Sequence, residues 1–188
     1  MPRHPLTLLL LALPAFVVLP GFFGGRLDAD AMLHPTGEWS ARFLIVALAV
    51  GPLAARFGPT AFLTGWQRRR RTIGLAAFAY AAAHTGCYLV SMGALDFVID
   101  ELSAPAIWTG WLALILMAIP AAISSDAAMR ALRRNWKRLQ RLVWPAALLT
   151  LLHWGLVSYG WVPALVHFLP LIALFGLRFL PPAKRQTT

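Results

Sequence analysis

The sequence predicts an all-α protein, an integral membrane bundle of six helices with both termini in the cytoplasm. Three observations carry that expectation. Of the 188 residues, 59% are apolar and 13% charged, with a mean hydropathy of +0.67, against about 45–50% and about 25% in soluble domains. Six apolar runs approach the roughly 20 residues that a spanning helix needs. The net charge of +10 is sorted by side of the membrane rather than gathered in a patch. So apolar a chain is not disordered. A nucleic-acid partner is excluded too, because the connections between runs are too short to hold a basic domain. Residues 1–188 therefore read as one transmembrane domain.

The first run, Pro5–Gly24, follows Arg3 and His4 in the manner of a signal peptide. Its apolar stretch continues through Phe16, Val17, Val18 and Leu19 without an A-x-A-like cleavage site, so it is expected to stay as a helix. The other runs are Ser40–Phe57, Thr72–Leu95, Ala106–Ser124, Leu142–Tyr159 and Pro163–Leu180. Segments on one side of this six-helix path hold 15 of the 17 basic residues, with only Asp126 as an acidic companion. The opposite side holds Asp28, Asp30, Glu38, Asp96, Asp100 and Glu101, with Arg26 and Arg42 as its basic residues. The positive-inside rule places the basic side, and both termini, in the cytoplasm. Trp39, Trp66, Trp108, Trp136 and Trp161 lie near run ends, as an aromatic belt requires.

Arg68–Arg71, beside the third run, read as a topology signal in contact with anionic membrane lipid. In Ser125–Arg141, Met129, Leu132, Trp136 and Leu139 recur at helical spacing among basic residues. That pattern predicts an amphipathic helix lying in the interface. The lone cysteine, Cys87, excludes an internal disulfide, a CxxCH haem attachment and CxxC-type zinc or iron–sulfur sites.

An ionisable residue inside a span marks a functional site by default. His84 lies in the third run and His153 in the fifth, and both runs start on the cytoplasmic side. His84 follows Arg71 by 13 residues and His153 follows Arg141 by 12, which at 1.5 Å per residue puts each roughly 18–20 Å from its basic anchor. Two imidazoles at one depth on parallel helices suit the axial ligands of one haem b. A hydrogen bond to a neighbouring helix or a proton relay would also account for each histidine. Ala77, Ala81, His84 and Tyr88 share one helical face whose small residues leave room for a macrocycle, or for plain helix packing. Arg42, with Arg26 or His34, is a candidate partner for a haem propionate or a quinol. The competing reading of Arg42 is an arginine snorkelling to headgroups. His34 in the first outer loop and His167 near the outer end of the sixth run read as interfacial or as lining an outer ligand site, and His4 as inert. No Ser–His–acid spacing, P-loop or dinucleotide-binding glycine pattern is present.

Arg70-Arg71-Thr72-Ile73-Gly74-Leu75 followed by His84-Thr85-Gly86-Cys87-Tyr88 resembles the third helix of the MsrQ/YedZ haem-binding subunits, in the ferric-reductase-like transmembrane superfamily. His34-Pro35-Thr36-Gly37 resembles that family's H-x-T-G entry to the second helix, and Gly51-Pro52-Leu53-Ala54 its exit. Ser124-Ser125, Ala128-Met129, Trp136 through Leu139 and His153 match the fifth helix and the loop before it. The resemblance covers roughly residues 33–158. It implies a six-helix haem b subunit of the bacterial inner membrane, with His84 and His153 as axial ligands. By the same resemblance, electrons pass from quinol to a periplasmic molybdopterin-type enzyme that reduces methionine sulfoxide. The family also admits a flavin, which no residue here specifies. One departure stands out: where the family has a further histidine thirteen residues before the later one, this chain has Gln140, which is not an ordinary haem ligand.

The expectation is thus an electron-transfer subunit of an oxidoreductase rather than a complete enzyme, with one haem b. Two alternatives come from other classes. A ferric or other metal reductase would need an NAD(P)H/flavin domain or a soluble partner, and a haem-free structural subunit would need no cofactor at all.

Overall fold

The structure, a computed structural model, describes residues 5–25, 28–158 and 160–176. Among these the protein is helical throughout: α1 (Pro5–Phe23), α2 (Ala29–Phe57), α3 (Ala61–Met92), α4 (Leu95–Glu101), α5 (Pro105–Ala122), α6 (Asp126–Leu132), α7 (Arg134–Gln140), α8 (Val143–Val157) and α9 (Trp161–Gly176). Helices α2, α3 and α5 are long and apolar enough to cross a membrane, and α9 is apolar but shorter. This is an all-α, multi-pass membrane protein.

Local chemistry sets the breaks. Asp28 caps α2 by accepting the Ala31 N–H at 2.8 Å, and Gly58, at φ +81°, ends it ahead of Pro59. Thr60 caps α3 and Gly93, at φ +71°, closes it. Two helices start well before the apolar runs that predicted them. α2 begins at Ala29 rather than Ser40, and α3 at Ala61 rather than Thr72, so Arg68–Arg71 lie within α3 and not beside it. Hydropathy reports depth in the bilayer, whereas backbone hydrogen bonding continues past it. The expected single helix over Ser125–Arg141 is two, because Arg133 adopts φ 47°, a left-handed conformation that interrupts the ladder between α6 and α7.

Helix α2 packs along α3, α5 along α8, and the two pairs close on one another with α9 against α8 and α2. Small residues sit where the helices meet: Ala41, Ala77, Ala146, Ala147 and Ala164 are buried, while Val90, Leu148, Val166 and Leu169 are exposed. That distribution suits a bundle whose outer surface meets lipid and whose helices approach through small side chains. The close approach of α2 and α3 lets the buried Ser40 hydroxyl donate to the Ala77 carbonyl at 2.9 Å. Leu44, Leu48, Met117, Phe168 and Leu171 fill the rest of the core.

The basic end is tied together by specific pairs. Arg71 Nη1 lies 2.6 Å from Asp126 Oδ1, joining α3 to α6, and Arg69 Nε donates to the Thr7 hydroxyl on α1 at 3.1 Å. Gln140 Nε2 and the Trp136 indole donate at 3.1 Å to the Pro120 and Ile123 carbonyls, joining α7 to the end of α5. The Arg71 hydrogen bond and charge hold the Asp126 carboxyl below its ordinary value. A carboxyl depressed in the folded state contributes stability above its unfolded pKa and loses it as pH falls through the lower, folded one. Hydrogen-exchange protection of residues 126–132 is therefore expected to drop on acidification through that window. In Asp126→Asn it is expected to be low already at neutral pH and flat across the window. An equal pH response in both proteins would count against this account.

Candidate functional site

His84 on α3 and His153 on α8 come together in the half of the bundle that holds Asp30 and Glu38, ring centroids 6.1 Å apart and ring planes at 80°. They line a cavity of about 350 Å³ walled by α2, α3, α5 and α8, with Ala81, Thr85, Trp111, Leu114 and Met117 among its apolar and small surfaces. Ala77, grouped with them by helical face, faces the core instead and is fully buried.

Each ring is held by a backbone carbonyl of a neighbouring helix. His84 Nδ1 lies 2.9 Å from the Leu33 oxygen and His153 Nδ1 lies 2.6 Å from the Ala106 oxygen. A carbonyl can only accept, so in both rings Nδ1 carries the proton and donates, leaving the Nε2 lone pair for a ligand. This is the arrangement that metal-bound histidines adopt, with the far nitrogen fixed and made more basic by its acceptor. Two such rings on one metal atom, with bonds of about 2.0–2.1 Å and about 1.1 Å from each nitrogen to its ring centre, would have centroids about 6 Å apart. The observed separation of 6.1 Å is close to that value.

The rings fit only because the facing positions lack a side chain. A Cβ on Gly37 would lie 3.1 Å from His84 Nδ1, and one on Gly110 would lie 2.7 Å from His153 Nδ1 and Cε1. Gly110 carried no signal in the sequence, and its role emerges only once α5 lies against α8.

Arg42 and His34 gather at one end of the cavity around a residue that sequence reasoning passed over, Glu38. Arg42 Nη2 lies 2.6 Å from Glu38 Oε1, His167 Nε2 lies 3.3 Å from the same oxygen, and His34 Nε2 lies 3.8 Å from Oε2. Arg42 Nε also lies 3.4 Å from His167 Nε2, and the guanidinium sits over the Trp39 ring at 4.7 Å. Trp154, next to His153, packs on His167 at 4.8 Å and meets His34 at 6.5 Å. Glu38 and His34 line the cavity, whereas Arg42 touches it through Glu38. Residues 34, 38 and 42 form an i, i+4 ladder, legible in the sequence once α2 is taken back to Ala29. Arg26 lies outside the described residues. Among those described, no group of three His, Cys, Asp or Glu is arranged to hold a metal ion; what joins this cluster is ion pairs and ring contacts.

Comparison with known proteins follows the same outline. The family described as ferric reductase like transmembrane component matches residues 36–151. A Xanthomonas euvesicatoria protein named protein-methionine-sulfoxide reductase heme-binding subunit MsrQ is 40% identical over 129 residues, 66% of this chain and 57% of that protein. Proteins of the same name from Xanthomonas axonopodis and Rhizobium meliloti are 36% and 35% identical, over 82% and 80% of this chain and 72% and 70% of theirs. The match to the first thus spans little more than half of its length. No solved structure matches the chain.

The two glycines make unequal demands. Gly110→Ala is expected to displace the His153 ring and lower the thermal stability of the detergent-solubilised protein by about 1–3 kcal/mol, the usual range for overpacking. Gly37→Ala, with the longer contact, should do so by less. The reverse order would sink this reading of the clamp.

Proposed function

The chain belongs to the ferric-reductase-like transmembrane family, in its MsrQ-type branch, and on that premise we propose that it is a membrane subunit holding one haem b. In this reading it carries electrons from quinol to a periplasmic oxidoreductase partner. The observation that supports it best is the facing pair His84 and His153, both with Nδ1 committed to a carbonyl and Nε2 left for a ligand. The names of the relatives attach haem binding and methionine-sulfoxide reductase to those proteins, and the same cofactor and kind of partner, of molybdopterin type, are proposed for this one. Six crossings by α1, α2, α3, α5, α8 and α9, cytoplasmic termini and a bacterial inner membrane complete the reading, supported by the charge asymmetry.

His84 and His153 would hold the haem iron, and the bound haem supplies a reversible one-electron carrier. The protein's own groups do the rest. Ala81, Leu114 and Met117 give the cavity beside the two rings an apolar wall, and the Leu33 and Ala106 carbonyls fix their orientation. In this reading quinol oxidation releases two protons with its two electrons, passed on one at a time, and Glu38, which borders the cavity, would take up a proton there, with His167 Nε2 3.3 Å from its Oε1 as a further acceptor. Arg42 keeps Glu38 oriented and offers the positive charge that an anionic propionate or a deprotonating quinol would favour. Gln140 spends its amide on the Pro120 carbonyl, away from the cavity, in keeping with a single haem.

The purified protein is expected to give a b-type reduced-minus-oxidised visible spectrum that both His84→Ala and His153→Ala abolish. A colourless wild type ends the proposal and favours a haem-free subunit. Separately, Arg42→Ala should shift the haem midpoint potential or slow quinol oxidation. If both stay at wild-type values, Arg42 has no part in the site.

A further inference from the structure

The two histidines are held by the same four-part device, built twice. In α2 the accepting carbonyl is Leu33, the open position is Gly37, four residues on, and Thr36 stands between them. In α5 the carbonyl is Ala106, the open position is Gly110, again four residues on, and Thr109 stands between. The one proton of each threonine hydroxyl is shared between the carbonyl four residues back and the very oxygen that holds the imidazole, the second being the longer branch. Thr36 Oγ1 lies 3.1 Å from the Leu33 oxygen and 2.6 Å from that of Met32, and Thr109 Oγ1 lies 2.9 Å from the Ala106 oxygen and 2.7 Å from that of Pro105. Thr36, Ser40 and Thr109 are the buried polar side chains of the described structure. Two of the three therefore sit in these clasps.

Backbone bonding by a helical threonine is ordinary, and Thr85 and Thr150 do it here with single bonds to Ala81 and Ala146. Thr36 and Thr109 differ because their carbonyl is already shared. In a regular helix it receives the N–H of the residue four on, here the glycine, and it also receives the imidazole. An oxygen with two lone pairs then serves three donors, and each added donor draws density from the others. A weaker acceptor on Nδ1 makes the imidazole less basic at Nε2 and a poorer donor to a metal.

We propose that Thr36 and Thr109 are positioning residues that tune both axial histidines, setting through the shared Leu33 and Ala106 carbonyls how strongly each imidazole donates to the haem iron. The proposal rests on the haem reading given above. Removing a hydroxyl should strengthen the Nδ1 hydrogen bond, enrich the imidazole and favour the ferric state, so the midpoint potential should fall. Because the clasps act on different ligands, their effects should add.

The test compares wild type with Thr36→Val, Thr109→Val, the double variant, the matching serine variants and Ser124→Ala, a control whose hydroxyl bonds the Pro120 carbonyl at the end of α5 and lies away from the cavity. With the bis-histidine spectrum retained, the valine variants should titrate at lower potential. The double should equal the sum, serine should restore the wild-type value, and Ser124→Ala should stay near it. Unmoved potentials in a haem-loaded protein, or an equal fall in Ser124→Ala, overturn the proposal. Ring-nitrogen NMR of ¹⁵N-histidine protein prepared without haem separates the two readings. An Nδ1–H resonance for His84 and His153 that moves downfield in the matching valine variant supports the clasp whether or not haem binds. Resonances that do not move overturn it, even where the wild-type spectrum upholds the haem.

Discussion

An imidazole inside a lipid-surrounded bundle offers one nitrogen for chemistry only when its other nitrogen is bonded within the protein, because no water is there to take its place. Much of this molecule follows from meeting that condition twice. The acceptor is a backbone carbonyl on a neighbouring helix, which must come within about 3 Å of the ring. Such an approach leaves no room for a Cβ at the facing position, hence Gly37 and Gly110. It also needs helices that pack closely along their length, hence the buried alanines at 41, 77, 146 and 147. The bulk removed from the interior reappears outside, as leucines, valines and phenylalanines turned to lipid.

The pairing of elements expresses the same requirement. α2 braces the histidine of α3, α5 braces that of α8, and these are the two most intimate helix pairs in the fold. Each brace is complete within its pair. Ser40 on the Ala77 carbonyl locks the first pair a turn from its clasp, and Gly155 on α8 accepts the close approach of Trp161 at the start of α9. The cavity is what remains when the two braced pairs meet. Its contents are therefore set by helix packing rather than by loops.

Much of this was legible in the sequence. Composition and the sorted charges indicated a membrane bundle, and counting residues from Arg71 and Arg141 brought His84 and His153 to one level. What hydropathy hid was helix beyond the apolar core. With α2 started at Ser40, residues His34, Glu38 and Arg42 fell across a loop boundary and their i, i+4 spacing went unseen. The contact of Arg42 and Glu38 with His167 spans more than 120 residues of chain and has no local signature. Gly110 was invisible for the same reason, since its meaning lies in what α8 brings against it. Arg133 failed differently. A charged residue at φ 47° obeys no propensity rule, so one amphipathic helix was read where two stand.

The two ends of the bundle use their polar groups in opposite ways. At the basic end Arg71, Asp126, Trp136 and Gln140 are engaged with one another's helices or with the spent carbonyls of α5. The Pro120 oxygen there already takes the Ser124 hydroxyl as well. None of these groups lines the cavity. At the acidic end Glu38, His34, Tyr88 and Asp30 all border it, with Tyr88 bonded to Glu101 and Asp30 to Ser91. A ligand near Gln140 would have to displace bonds that join α7 to α5. The histidine cavity lies apart from those bonds, with Nε2 of His84 and of His153 left out of the carbonyl contacts that hold the rings. A polar residue that closes a helix junction stabilises the bundle, whereas one that borders a cavity can face a ligand while keeping its partner. By that distinction, the polar groups that border the histidine cavity lie, among the described residues, at one end of the bundle.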